Sequence, residues 1–158
     1  MKFVRTDKAP EPGCYSQAVS VDVGTHSLLF LSGQTGNVPG LANEPVVWGG
    51  VGQQTTRALK NILAIVEEAG GSTYDIVDVK VFLKDSPGKG EKRARARTES
   101  RVAFAEAYKR FFESHGRSEL MRNLPARTMV WVSEVPLEYP TEETLIEITA
   151  MAVIPRQE

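Results

Sequence analysis

Apolar residues recur in two rhythms along this chain, and the change from one to the other marks out its elements. Residues 17–23 alternate and stop at Gly24, and a short apolar run from Ser27 to Leu31 ends at Ser32-Gly33. A period of two broken by a glycine predicts two strands joined by a turn over Gly24 to His26. Prolines and glycines then break up residues 37–50, as in a loop. From Val51 the period lengthens: Val51, Thr55, Ala58, Leu59, Ile62, Ile65, Val66 and Ala69 are spaced by threes and fours, one face of a helix. Gly70-Gly71 stops it as a left-handed cap would. Ser72 to Asp75 can cap a single turn leading into a strand, Ile76 to Lys84. There Val77, Val79, Val81 and Leu83 are expected on one face, and Asp78, Lys80, Phe82 and Lys84 on the other.

The stretch Ser86 to Arg97, SPGKGEKRARAR, breaks the pattern and reads as a solvated loop. A second helix carries Val102, Ala105, Tyr108, Phe111 and Phe112, and two more strands follow, Ala126 to Val132 and Leu145 to Val153, separated by a turn rich in Pro and Glu. The order β-β-α-β-α-β-β, without internal repeat or linker, predicts one domain over residues 1–158. Its expected architecture is a two-layer α/β (α+β) sandwich, a mixed β-sheet with two helices on one face. Parity assigns Val130, Val132, Ile146, Ile148, Ala150 and Ala152 to the covered side. Phe82, Met129, Trp131, Leu145, Met151 and Val153 are then left on the open side, and such a patch predicts a homo-oligomer packed through that face.

Composition narrows the function classes. Nineteen Lys+Arg against twenty Asp+Glu leave a formal charge of -1, without the global basic field of a nucleic-acid binder. One cysteine excludes an intrachain disulfide framework and a multi-Cys zinc site, and two histidines give little for a metal. Neither a signal-type h-region nor a membrane-length apolar run is found, so a soluble, cytoplasmic protein without membrane contact is expected. Locally the balance shifts: residues 84–101 hold seven Lys+Arg against three acids, expected as a mobile solvated run or as a loop folded over a site.

The same parity puts Arg127 and Glu147 together on the apolar open face. Either they form a plain salt bridge across an interface, or Arg127 grips a substrate carboxylate with its bidentate fork while Glu147 handles a proton or water. Six blocks give a resemblance that extends from about Val4 to Pro155: Gly13-Cys-Tyr15-Ser-Gln17-Ala, Leu31-Ser32-Gly33-Gln34, Thr56-Arg-Ala-Leu-Lys-Asn61-Ile, Val79-Lys-Val-Phe-Leu-Lys-Asp85, Pro125-Ala-Arg127-Thr and Ile146-Glu147-Ile148. In that order they resemble the reactive intermediate deaminase family (Rid, YjgF-type, also called L-PSP endoribonuclease-like). The resemblance implies a chorismate-mutase-like fold, a homotrimer with clefts between subunits, and cofactor-free hydrolysis of enamine and imine acids to 2-keto acids and ammonia. It also implies that Arg127 binds the substrate carboxylate, Glu147 positions the attacking water, Tyr15 closes over the ligand, Ser32-Gly33 lines the pocket and Met129 contributes its backbone. No metal or other cofactor is implied.

Departures bear on the substrate. Cys14 stands where the family usually has proline, and the segments after the third strand and from Ser114 to Leu124 are longer than typical. Arg122 or an arginine of the basic segment is a candidate for a second carboxylate, as a dicarboxylic enamine such as an aminomuconate would need. Two other classes stay open: RNA cleavage inhibiting translation, through the basic segment, and a non-catalytic ligand-binding trimer. Retention of both Arg127 and Glu147 favours catalysis.

Overall fold

The structure, a computed structural model, describes residues 1–117, 123–135 and 143–156. Its elements are β1 (Lys2–Val4), β2 (Ala18–Val23), β3 (His26–Leu31), α1 (Gly50–Glu68), β4 (Ile76–Lys84), α2 (Gly90–Ser114), β5 (Ala126–Val132) and β6 (Ile146–Pro155), with a 3-10 turn at Thr73–Asp75. The strands form one sheet in the order β1-β2-β3-β6-β4-β5, in which β4 and β5 run parallel and every other pair is antiparallel. Both helices pack on one face of this mixed sheet, so the α+β two-layer sandwich is the observed architecture.

Local chemistry explains most boundaries. Gly70 adopts φ 88, its N–H donates to Glu67 O at 2.9 Å, and the Gly71 N–H donates to Val66 O at 2.9 Å, closing α1 where the glycines predicted. Ser72 and Asp75 form a reciprocal capping box on the 3-10 turn. Aliphatic side chains of α1, among them Leu59, Ile62, Ile65 and Val66, meet Val79, Val81, Leu83, Ile146, Ile148 and Ile154 of the sheet and Phe104 and Phe112 of α2 in one core.

Four expectations need correction. The short edge strand β1 was not predicted; at three residues it is below the length at which alternation is detectable. In β4 a register shift lies between Ile76 and Asp78, so Ile76 is buried and Val77 is 42% exposed, off the core face. The basic run is not a loop, because α2 begins at Gly90 and takes in Lys92, Arg93, Arg95 and Arg97. Alanine, arginine, lysine and glutamate are good helix formers, and Asp85 anchors the first turns: Arg97 Nη2 lies 2.6 Å from Asp85 Oδ2 and Arg93 pairs with the same carboxylate. The two guanidinium groups hold the Asp85 carboxyl well below the usual carboxylate range.

The fourth correction concerns the face of β5. Parallel register sets Arg127 beside Val79, Met129 beside Val81 and Trp131 beside Leu83, all core-facing residues of β4. Arg127, Met129 and Trp131 therefore face the helices, and Val130, 41% exposed, faces the open side. Met129 and Trp131 pack against the core, with the Arg97 guanidinium 5.3 Å from the Trp131 ring centroid. Alternation tells which residues share a face but not which face that is, and an edge strand lying under α2 took the assignment opposite to the one its valines suggested. Phe82 keeps its predicted place on the open face, as its register with Glu147 requires, and Phe30, 43% exposed, joins it there.

Candidate active site

A cavity of about 350 Å³ opens where the loop after β3, the segment before β2 and the start of β6 converge, and its lining includes Pro10, Glu11, Tyr15, Ser32, Gly33 and Glu147. Glu147 is half-buried and held from both sides. Its neighbour Ile148 exchanges two backbone hydrogen bonds with Gln34, at 2.8 and 2.9 Å, and Glu147 itself lies in register with Phe82 of β4. Gly33 makes this placement possible: a Cβ built on it would overlap the Glu147 carboxylate. The Ser32 hydroxyl donates to Ser16 O at 2.6 Å and its N–H to Gln17 O at 2.9 Å, so Ser32 offers a ligand lone pairs rather than a proton. Tyr15 is 48% exposed at the mouth, a position from which its ring can cover a ligand.

Three buried amides hold the irregular backbone around this cavity. Gln17 accepts from the Thr6 N–H at 2.7 Å and donates to the carbonyls of Thr6, Ala9 and Pro10, fixing the N-terminal segment as one wall. Asn61 of α1 donates to Thr35 O at 3.2 Å and Asn37 O at 2.9 Å, fixing the opposite loop. Gln54 donates to Glu143 O and accepts from the Leu145 N–H, both at 2.8 Å, and so sets the entry of β6 just before Glu147. Sequence reasoning gave none of these a role. Their signal was available: Gln54 and Asn61 are polar residues on the buried face of α1, where an amide needs hydrogen-bonding partners.

Arg127 lies elsewhere. Its guanidinium is 5.2 Å from the ring centroids of both Phe104 and Tyr108 on α2, beside a second cavity of about 490 Å³. The Tyr108 hydroxyl is buried without a partner among the described residues, and that burial pushes its pKa up to about 12. Glu147 aligns with Phe82 and Phe82 with Val130, so Arg127 begins about 10 Å away across the sheet and about 10 Å along it, on the other face. The structure thus brings Tyr15, Ser32, Gly33 and Glu147 together within one copy and leaves Arg127 and Met129 out. The expected shared face of Arg127 and Glu147 within one copy is corrected.

A family model described as Endoribonuclease L-PSP matches residues 6–154. The chain belongs to that family. A RutC family protein of Pyrococcus abyssi is 36% identical over 152 residues, covering 96% of this chain and 95% of the relative. The 2-iminobutanoate/2-iminopropanoate deaminase of Rattus norvegicus is 33% identical over 153 residues, 96% and 89% of the two chains. Among solved structures, Escherichia coli TdcF with bound serine aligns at a TM-score of 0.72 with 30% identity, over 97% of this chain and 98% of that one.

Other features of this L-PSP chain can now be placed. Cys14 is exposed beside Tyr15, and Trp48 is exposed in the loop before α1. Trp131, expected at the open face, is the residue under Arg97. His115 follows α2 directly, its Nδ1 2.7 Å from Phe111 O, consistent with a helix C-terminus. Arg122 lies outside the described residues. Among those described, no helix is long and apolar enough to cross a membrane, and no group of three His, Cys, Asp or Glu could hold a metal ion.

Proposed function

We propose that this protein is a cofactor-independent deaminase that hydrolyses 2-imino acids, and enamines that tautomerise to them, to 2-keto acids and ammonia. The observation that carries this reading is the Glu147 carboxylate set into a cavity against a glycine, with room beside it for a small acid and one water. Membership of the family and the name of the rat relative support the reaction class. The serine bound to TdcF supports an amino-acid-sized ligand carrying one carboxylate.

The chemistry needs little more. A protonated imine conjugated to a carboxylate is already electrophilic at C2, so the protein's work is positioning and proton transfer. Glu147 takes a proton from water as the oxygen bonds to C2, giving a carbinolamine. It returns that proton to nitrogen, takes the proton of the carbinolamine hydroxyl as the C=O forms and the C–N bond breaks, and passes that second proton to the departing ammonia, so the 2-keto acid and ammonium leave. The Gly33 N–H, without a partner among the described residues, is a donor available to the substrate.

The carboxylate is held by Arg127 of a second copy. Within one chain Arg127 points to the helix side of the edge strand β5, and apolar Phe30, Phe82 and Val130 face the open side. Packing copies through that open face, as the homotrimer implied by the sequence resemblance would, puts one copy's β5 edge near another's cavity and covers the apolar surface. Arg93 and Arg97 pair with Asp85 inside a helix, which leaves fewer free cations of the basic segment for the RNA-cleaving reading.

The test is ammonia release from 2-iminopropanoate generated in situ. Glu147→Gln is expected to lower kcat by about 10²-fold or more, the usual worth of a general base. An unchanged kcat removes Glu147 from the chemistry.

A further inference from the structure

On the side of α1 and α2 turned away from the sheet, a groove of about 630 Å³ runs between the two helices. The helices approach closely there, with Gly52 facing the Ala103 carbonyl, and small or branched apolar residues, including Val51 and Ala107, form part of the lining. Three cations enter the groove: Arg57 and Lys60 from α1 and Arg110 from α2. Glu106 is the acid among its lining residues.

None of the three cations has an ion pair among the described residues, although Glu106 stands one helical turn before Arg110. Arg57 is the most telling. Its Nε is sealed from solvent and has no hydrogen-bond partner among the described residues, and burial lowers the guanidinium pKa below the usual arginine range. A guanidinium that burial disfavours and that no carboxylate balances gains from an oxyanion in the groove it lines. The contrast with Arg93 and Arg97 is direct: those two share a carboxylate, whereas these three face an empty space large enough for a small organic molecule.

We propose that the groove between α1 and α2 binds a small metabolite carrying a phosphate monoester on an apolar body, at a site separate from the Glu147 cavity. Charge and shape both favour this class. After Glu106 is counted the lining has two positive charges in excess, which a phosphate monoester at neutral pH nearly matches and a single carboxylate does not. The apolar lining takes the remainder of the ligand. The proposal is independent of the deaminase reading, because the two cavities share no lining residue.

Isothermal titration of the intact protein with phenyl phosphate tests it, with benzoate and phenol as controls. Saturable binding of phenyl phosphate is expected, about tenfold or more tighter than benzoate, with none for phenol. Arg57→Met with Arg110→Met should weaken binding by about tenfold or more, and Glu147→Gln and Arg127→Ala should leave it unchanged. Arg110 is exposed, so Arg110→Met alone serves if the double variant does not fold, and a smaller loss in the same direction is then expected. Absence of saturable binding, equal affinity for benzoate, an unchanged constant in the Arg110 variant, or loss of binding in Glu147→Gln overturns the proposal. None of these outcomes bears on ammonia release, so failure here is distinguishable from failure of the deaminase reading.

Discussion

Around Glu147 the backbone is irregular but tied down by buried amides, whereas around Arg127 it is a regular edge strand and helix tied by charge. Gln17, Asn61 and Gln54 together reach the carbonyls of Thr6, Ala9, Pro10, Thr35, Asn37 and Glu143, and each acts through neutral hydrogen bonds shielded from water. The other half depends on Asp85 with Arg93 and Arg97, and on Arg127 lying against Phe104 and Tyr108. The first arrangement fixes where a proton is moved. The second leaves a cation partly exposed at an edge, available to a neighbour. In the proposed mechanism the two halves meet only between copies, so a single chain holds two incomplete parts of one site.

The strongest test of that division is to mix two inactive variants. Arg127→Ala and Glu147→Gln are each expected to lose about 10²-fold or more in kcat/KM alone. Co-assembled in equal amounts after reversible dissociation, they should regain activity at about one site in four, because a random neighbour pair then joins an intact Glu147 to an intact Arg127. No regain in mixed oligomers confirmed by mass would place both groups in the same chain's site and end the comparison. Next in size, Gly33→Ala should cost about 10²-fold in kcat by displacing the Glu147 carboxylate, with the melting temperature little changed. A variant as active as the wild type would mean that the carboxylate does not act from where it sits.

Stability separates the halves further. Gln54→Ala strands the Leu145 N–H and the Glu143 carbonyl, and about 1–3 kcal/mol of destabilisation is expected, read by urea unfolding. Because the lost bonds are neutral, the loss should be nearly the same from pH 5 to pH 8. Asp85→Asn should behave differently. A carboxyl held below its unfolded value stabilises the fold above that value and loses its contribution as the pH falls through the folded one. The melting difference from wild type should thus be full above about pH 5 and shrink progressively below about pH 4. A difference that is flat with pH would show that the two arginines do not hold Asp85 through charge.

Much of the half around Glu147 was legible from the sequence. The hairpin and the α1 stripe with its glycine stop follow local patterns that the structure keeps, and Tyr15, Ser32, Gly33 and Glu147, grouped by the family resemblance, line one cavity. The half around Arg127 was misread for identifiable reasons. Pro87, Gly88 and Gly90 made the following residues look like loop, although the RARAR stretch is helix-forming and Asp85 supplies its anchor. Alternation in β5 was correct, but its face depended on register with β4, a contact about fifty residues away in sequence. The same non-locality hid the bulge that turns Val77 outwards. Long-range pairing settles such choices, and no window along the chain contains it.

The position of β6 also bears on how the protein is made. This strand is the last of the described elements in sequence order, yet it lies in the middle of the sheet, between β3 and β4. During synthesis the β1-β2-β3 ribbon and the β4-α2-β5 unit emerge first and have no strand to join them. Each exposes an unpaired edge until residues 146–155 leave the ribosome, so the sheet closes and Glu147 reaches its cavity in the same late step.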